Sequence, residues 1–385
     1  MKRFEFSYGP RLIAGAGSAA RLGELLPAGP CLFVTDSRIL ELGLADGALG
    51  SLEEAGVVPA VFDRVEQDPS RDTVMAAVAA GAGRGCASVV GFGGGSPMDV
   101  AKLAAYLIGS GDELDLIWGV GKALGSGLPL ALVPTTAGTG SEATAVSVIT
   151  VGGSAKNAVN SPPLLARWAV LDPELTVNLP RPVTAATGID AMVHAIEAYT
   201  SAHRKNPLSD LLAREALKLL FGNLLRACDQ PDDRDARARM SLGAHLAGVA
   251  FNNAPVAGVH ALAYPLGGHF HVPHGLSNSL VLTHVLGHNM PAAMALYAEL
   301  GCLLDPSASG QGSQAQAQAQ AQLFVALLAD LSRRTGLPQR LSEVGIGAEH
   351  LDMLASEAMK QERLLVNNPC PITEADARRI YEAAL

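Results

Sequence analysis

The chain alternates short, wholly apolar runs with longer Ala- and Leu-rich runs at helical spacing. Cys31-Leu32-Phe33-Val34-Thr35 reads as a buried strand, and a helix follows near Leu40 to Glu54. Val58 to Phe62 makes a second strand and Ser70 to Gly83 a helix, while Ala87 to Phe92 and Leu128 to Val133 make a third and a fourth strand. Apolar strands of four to six residues separated by helices predict a parallel sheet covered on both faces. Beyond Pro182 helical periodicity dominates and β-branched clusters become rare. The pattern therefore predicts two domains, an α/β domain over 1–180 and an all-α domain over 181–385. Ser307 to Gln322, ending in alternating Gln and Ala, reads as a surface insertion between two helices, with Gly310, Gly312 and Ser313 breaking its start.

Composition narrows the class of function. Over 385 residues the hydrophobic fraction is 49% and the charged fraction 17%, enough apolar material for large cores. Lys and Arg number 28 against 37 Asp and Glu, and the resulting net charge of -9 repels phosphate backbones, which argues against nucleic-acid binding. Aromatic residues at 4% leave little for base stacking. The 5 cysteines lie far apart without a CxxC, which suits a reducing cytoplasm and excludes a disulfide scaffold or a thiolate zinc site. Glu5 interrupts the N-terminal run where a signal peptide would need apolar residues. Leu242 to His271 carries no Asp, Glu, Lys or Arg, but its histidines, asparagines and prolines fit buried helices broken by a polar loop better than a membrane span. The expectation is a soluble, cytoplasmic protein.

The strongest local signal is the run from Val89 to Lys102. A buried strand leads into Gly93-Gly94-Gly95 and then a helix start, with Ser96 as N-cap, Pro97 at the first helical position and Asp99 at the capping-box position. Glycines admit close backbone approach and a helix N-terminus offers free N–H groups, so the chemical fit is a pyrophosphate. Gly15-Ala16-Gly17-Ser18-Ala19-Ala20 matches GxGxxA, but the preceding Pro10 makes a poor central strand, and that match is rejected as the phosphate site. Asp36 ends the first strong strand, where it can accept the hydroxyls of an adenosine ribose and favour NAD over NADP, or simply cap a helix. Pro134 to Glu142 is a second polar loop at a strand end; its hydroxyls, Thr135, Thr136 and Thr139 among them, suit phosphate, ribose or carboxamide.

Chemistry concentrates later in the chain. Asp190 and His194 are four apart on a helix with apolar flanks, so they share a face, and burial would oblige them to find partners. Four of the 10 histidines fall between His260 and His274, namely His260, His269, His271 and His274. Pro265, Gly267, Gly268 and Pro273 break the segment, so His260 is expected to end one helix and His274 to begin another element. Three histidines with one carboxylate make a mixed N/O site suited to Zn, Fe or Mn. An open position on such an ion would take a substrate oxygen.

At these residues the sequence resembles the iron-containing (group III) alcohol dehydrogenase family, of the dehydroquinate-synthase-like fold. The likeness rests on Gly93 to Lys102, Pro134 to Glu142, Gly188 to Glu197, His260 to Gly275, and the closing Asn367-Asn368-Pro369 and Tyr381-Glu382-Ala383-Ala384. It implies that Asp190, His194, His260 and His274 ligate Fe(II), or Zn(II) in some relatives. It also implies that Gly93, Gly94, Gly95, Ser96 and Asp99 contact the pyrophosphate of NAD and that Thr135, Thr136 and Thr139 flank the cofactor. Asp36 would hold the ribose and Lys156 would lie near the nicotinamide. A homodimer is implied, with the active site in the cleft between the domains and a primary alcohol or aldehyde as substrate.

One position departs from the family. Many members carry a further histidine four residues after the third ligand, near the nicotinamide, where this chain has Tyr264. Tyr264, His269 and His271 are the candidates for the proton relay, with packing as the alternative role for Tyr264. Tyrosine at that place also resembles the hydroxyacid–oxoacid transhydrogenase branch, whose nicotinamide stays bound, and that is the second functional reading. A catalytically silent nucleotide-binding protein is disfavoured by the four intact ligands.

Overall fold

The computed structural model describes residues 3–152, 156–308 and 313–385. The predicted break at Gly310 and Gly312, like Met1 and Lys2, lies outside the described residues. Two compact units emerge, one over Tyr8–Val177 and one comprising Asn178–Leu385 with the residues up to Ser7.

In the first unit the strands are β1 (Arg11–Ala14), β2 (Gly29–Val34), β3 (Val57–Phe62), β4 (Ser88–Gly93), β5 (Gly119–Val120), β6 (Leu130–Pro134), β7 (Val146–Thr150), β8 (Lys156–Asn160) and β9 (Trp168–Leu171). The helices are α1 (Ser37–Glu41), α2 (Asp46–Glu54), α3 (Arg71–Gly83) and α4 (Gly95–Ser110). The main sheet has the order β1-β9-β6-β4-β2-β3, and each neighbouring pair is parallel. Side chains alternate across the sheet. Leu32, Val34, Val89, Leu130 and Leu132 pack with α3 and α4 residues such as Val74 and Leu103. Cys31, Phe33, Val90, Phe92, Ala131 and Val133 fill the other face with Ala48 and Leu52 of α2. Because both faces are covered, the strands read as continuous apolar runs.

Three features depart from the sequence reading. Leu40 to Glu54 is not one helix, because Gly43 takes a φ of 66° between α1 and α2. β1, an edge strand, begins just after Pro10, where a proline costs no ladder hydrogen bond. A second small sheet, β5-β8-β7, contains the antiparallel pair β7–β8 and has no strong apolar run to announce it.

The second unit contains α5 (Arg181–Thr200), α6 (Pro207–Asp229), α7 (Arg234–Asn253), α8 (Gly258–Phe270), α9 (His274–Leu304), α10 (Gln314–Thr335), α11 (Leu351–Met359), α12 (Glu362–Leu365) and α13 (Glu374–Ala383). Within it α5 packs against α6, α7 and α9. Its residues from Gly188 to Thr200 are all buried, Asp190, His194, Glu197 and Thr200 among apolar neighbours. Each fully buried Ile, Val or Met there stabilises the fold by about 1.5–3 kcal/mol, which helps to offset the burial of Asp190, His194 and Glu197. The alternating Gln and Ala residues form the mostly exposed first turns of α10, and Ser313, read as a breaker, is its N-cap, accepting from Gln316 N–H. Among the described residues no helix is long and apolar enough to cross a membrane, and none of the five cysteines is in a disulfide.

Candidate active site

In the α/β unit, β4 delivers the triple glycine. Gly93 has a φ of 149°, and an added Cβ would meet Pro97 Cγ at 2.7 Å, so only glycine fits. α4 begins at Gly95 with Gly94 as N-cap, two residues earlier than the start chemistry predicts. Ser96 therefore lies inside the first turn rather than capping it. Asp99 falls too deep in the helix to cap, and its carboxylate turns to other donors, accepting from Ser141 Oγ at 2.6 Å and Val148 N–H at 2.9 Å. No side chain caps α4, which leaves its first N–H groups for an anion.

The second polar loop lies beside the first. Thr135 N–H donates to Gly93 O at 2.9 Å, and a Cβ on Gly95 would stand 3.0 Å from Thr139 Cγ2. Thr136 is the side chain facing Gly94. Lys102, fully buried on α4, ties the two loops together by donating to Ser141 Oγ at 2.8 Å, Thr144 Oγ1 at 3.2 Å and Val146 O at 2.7 Å. Burial pushes its pKa down, against the pull of Asp99 and Glu142. Asp36 stands just beyond β2 and caps α1, its Oδ1 accepting from Ile39 N–H at 3.0 Å. The N–H groups of Gly17 and Ala19, in the rejected GxGxxA match, donate to the Asp172 carboxylate at 3.2 and 3.0 Å. Lys156 opens β8 with its Nζ 2.5 Å from Asp68 Oδ1.

In the helical unit, four distant positions converge. Asp190 and His194 project from one face of α5, His260 comes from α8 and His274 is the first residue of α9. Asp190 Oδ1 lies 3.8 Å from His194 Nε2, 3.6 Å from His260 Nε2 and 3.4 Å from His274 Nε2. All four donor atoms lie within 4.8 Å of one another. Ligands about 2.1 Å from a tetrahedral ion stand about 3.4 Å apart, so the donor set has the chemistry and spacing of a metal site. Asp190, His194 and His260 are buried, whereas His274 is half-buried and marks the accessible side.

These side chains are held by neighbours. The His194 ring is sandwiched between Phe251 and His260, with centroids 4.3 and 4.7 Å away. Burial opposes ionisation of Asp190, but the three imidazoles overcome it and hold its carboxyl far below the usual range. Burial likewise opposes protonation of His260, yet Asp190 and Glu197 push its pKa up to about 9.

The structure corrects the sequence reading of α8. His260 does not end a helix; it lies in the first turn of α8, which continues through Pro265 and both glycines to Phe270. His269 and His271 are not brought to the ligand cluster. His269 sits nine residues along α8, a rise of about 13 Å, and its Nε2 faces Glu357 at 3.9 Å. His271 is exposed in the left-handed C-cap at φ 55°. Tyr264, one turn after His260, lies beside the cluster, its ring centroid 5.9 Å from that of His274.

Two residues escaped the sequence reading. Glu197, on the same helix as Asp190, accepts from His260 Nδ1 at 2.7 Å and from the backbone N–H groups of Ala257 and Val259 at 2.9 and 2.6 Å. α8 has no cap of its own, so Glu197 caps it from another helix while fixing the His260 ring. The signal was an acid among Ala195, Ile196 and Ala198, which burial obliges to find donors. Asn278, one turn after His274, donates to Asp190 Oδ1 at 2.7 Å.

A glycine-rich loop pair on a parallel sheet and a three-histidine, one-carboxylate cluster on helices are the features a metal-dependent dehydrogenase would need. Residues 9–173 match the family described as iron-containing alcohol dehydrogenase, and residues 184–385 match the C-terminal part of that family. The chain belongs to the iron-containing alcohol dehydrogenases and is an oxidoreductase acting on CH–OH groups. It is 40% identical over 356 residues to long-chain-alcohol dehydrogenase 1 of Geobacillus thermodenitrificans, covering 92% of this chain and 89% of that one. Among solved structures it resembles a 1,3-propanediol oxidoreductase at a TM-score of 0.95 and 32% identity, over 100% of both chains. It also resembles the sulfoacetaldehyde reductase of Bifidobacterium kashiwanohense in complex with NAD+, with a TM-score of 0.88 and 28% identity over 100% of this chain and 99% of that one. Kinship to dehydrogenases of free alcohols does not favour the transhydrogenase reading.

Proposed function

We propose that the protein is an NAD-dependent, metal-dependent alcohol dehydrogenase and aldehyde reductase, exchanging hydride between a primary alcohol carbon and C4 of nicotinamide. The observation that carries this reading is that Asp190 Oδ1 lies between 3.4 and 3.8 Å from each of the three imidazole Nε2 atoms. Fe(II), or Zn(II), bound by Asp190, His194, His260 and His274 would supply a Lewis acid that polarises the substrate oxygen and favours the alkoxide over the alcohol. Glu197, accepting from His260 Nδ1, would leave the His260 Nε2 lone pair for such an ion, and Asn278 steadies the Asp190 carboxylate.

The triple-glycine loop, the open start of α4 and the threonines of the neighbouring loop are assigned to the pyrophosphate and nicotinamide side of NAD. Asp36 is assigned to the adenosine ribose, where its negative charge would repel a 2′-phosphate. Tyr264, on the accessible side beside His274, is assigned the exchange of the alcohol proton with solvent. The balance is then complete: the carbinol carbon loses a hydride to NAD, and the hydroxyl proton leaves through the site. In this reading 1–180 forms the nucleotide-binding domain and 181–385 the metal-binding domain, in a cytoplasmic homodimer, and the unpaired cysteines suit that compartment.

The test is NADH oxidation against a panel of aldehydes and 2-oxo acids, with protein stripped of metal and reloaded anaerobically with Fe(II) or Zn(II). Long-chain aldehydes head the panel because of the substrate named for the Geobacillus relative. Metal-restored aldehyde reduction is the expected result. Hydride exchange between a hydroxy acid and an oxo acid without net NADH consumption would overturn it in favour of a transhydrogenase.

A further inference from the structure

The first turn of α8 carries His260, and its surroundings include residues from the far C-terminus. Asn368 Oδ1 accepts from Gly258 N–H at 3.3 Å, two residues before His260. Tyr381 Oη donates to Leu262 O at 2.6 Å, two residues after it. Asn367 Nδ2 adds a bond to Val256 O at 3.1 Å. Asn368 is itself locked, exchanging reciprocal amide hydrogen bonds of 3.0 and 2.6 Å with Asn289 of α9 and donating to Cys370 O at 2.7 Å.

The approach is close enough to dictate sequence. A Cβ on residue 258 would stand 2.6 Å from Asn368 Oδ1 and 2.7 Å from Ile372 Cδ1, so Gly258 is required for the C-terminal segment to lie on the helix. Pro265 removes the N–H that would bond the Ala261 carbonyl, leaving α8 weakest in the turn after His260, where Tyr381 attaches.

We propose that the C-terminal segment is a positioning device for the metal site: Asn368 and Tyr381 pin α8 on either side of His260 and so fix where its Nε2 points. Glu197 orients the ring, and these two side chains hold the backbone that carries it. The proposal rests on the reading of Asp190, His194, His260 and His274 as metal ligands.

The experiment compares the full-length wild-type chain with Tyr381→Phe and Asn368→Ser. Tyr381→Phe deletes one oxygen while keeping the buried ring, so it remains informative if Asn368→Ser folds poorly. Metal-stripped protein is titrated with Zn(II) against a chromophoric chelator, the visible bands of the Co(II)-loaded protein are recorded, and NADH binding and thermal midpoints are measured alongside. The expected result is a loss of Zn(II) affinity of about tenfold and shifted Co(II) bands, with NADH affinity unchanged. Lower midpoints with wild-type Zn(II) affinity and unshifted Co(II) bands would overturn the proposal, leaving the segment a role in stability alone. A wild-type chain that bound neither ion would overturn the metal reading itself and this proposal with it.

Discussion

Glu197 Oε2 lies 2.7 Å from His260 Nδ1, and the same carboxylate receives the backbone N–H groups of Ala257 and Val259. One side chain of α5 thus starts α8 and orients the His260 ring that α8 carries. Removing it would leave two buried N–H groups and one imidazole N–H without an acceptor. Glu197→Ala should destabilise the protein by about 3 kcal/mol and weaken Zn(II) binding by about 10–100-fold. Urea unfolding and chelator competition measure the two effects separately. Glu197→Gln keeps one acceptor oxygen and should fall between; an alanine variant with native metal affinity would refute the coupling.

His260→Ala should abolish alcohol oxidation even with metal resupplied, because a carboxylate and two imidazoles leave the ion under-coordinated and misplaced. NADH binding, followed by fluorescence energy transfer, should remain close to wild type. Wild-type turnover in the reloaded variant would mean that the ligand set is assigned wrongly.

Gly95→Val makes the complementary cut. The new side chain would press on Thr139, whose Cγ2 lies 3.0 Å from the Cβ position. Overpacking of about 1–3 kcal/mol should raise the KM for NAD by roughly five- to a hundredfold. Metal content, read by atomic absorption, should not change.

Asp36 offers a way to separate charge from capping. Serine is as good an N-cap as aspartate, so Asp36→Ser should preserve α1 while removing the charge that would repel a 2′-phosphate. The ratio of kcat/KM for NAD over NADP should fall by about tenfold or more, worth about 1.4 kcal/mol. An unchanged ratio would confine Asp36 to its capping role.

Alkali should unfold the helical unit through its buried phenols. Burial is the main cause that raises Tyr199 to about 12, with Glu299 adding to it, and burial alone takes Tyr381 well above the ordinary value near 10. A phenol whose pKa is raised on folding contributes its stability fully below the unfolded value and loses it as pH climbs toward the folded value. Stability should therefore decline between about pH 10 and 12, with tyrosinate absorbance at about 295 nm rising together with the loss of helical circular dichroism. Smooth ionisation of every tyrosine while the helices persist would contradict this.

The sequence was most legible where function leaves a local imprint. Three glycines after a buried strand, threonines at the next strand end and an acid and histidine one helical turn apart all act over a few residues. Four of the six strands of the main sheet were readable as buried apolar runs, whereas β1, largely exposed at the sheet edge, and the four-residue β9 were not read. The β7–β8 pair was passed over although Val146–Thr150 alternates as a strand does, because its partner Lys156–Asn160 has only Ala158 and Val159 as apolar residues. The start of α4 was misplaced because Ser96 and Asp99 have the composition of caps, while the pull of Ser141 and Val148 on Asp99 comes from more than forty residues away.

By itself, then, the chain's sequence determined the class of fold and the family, and through the family resemblance it singled out Asp190, His194, His260 and His274 as candidate ligands. Tertiary structure alone decided how those ligands are held. Glu197 reaches 63 residues along the chain to His260, and Asn368 and Tyr381 reach 110 and 119 residues back to flank it. It also removed His269 and His271 from the site, because α8 runs on through Pro265 and carries them along its axis. A hydrogen bond needs its partner within about 3 Å, and separation along the chain places no limit on which residues meet at that distance.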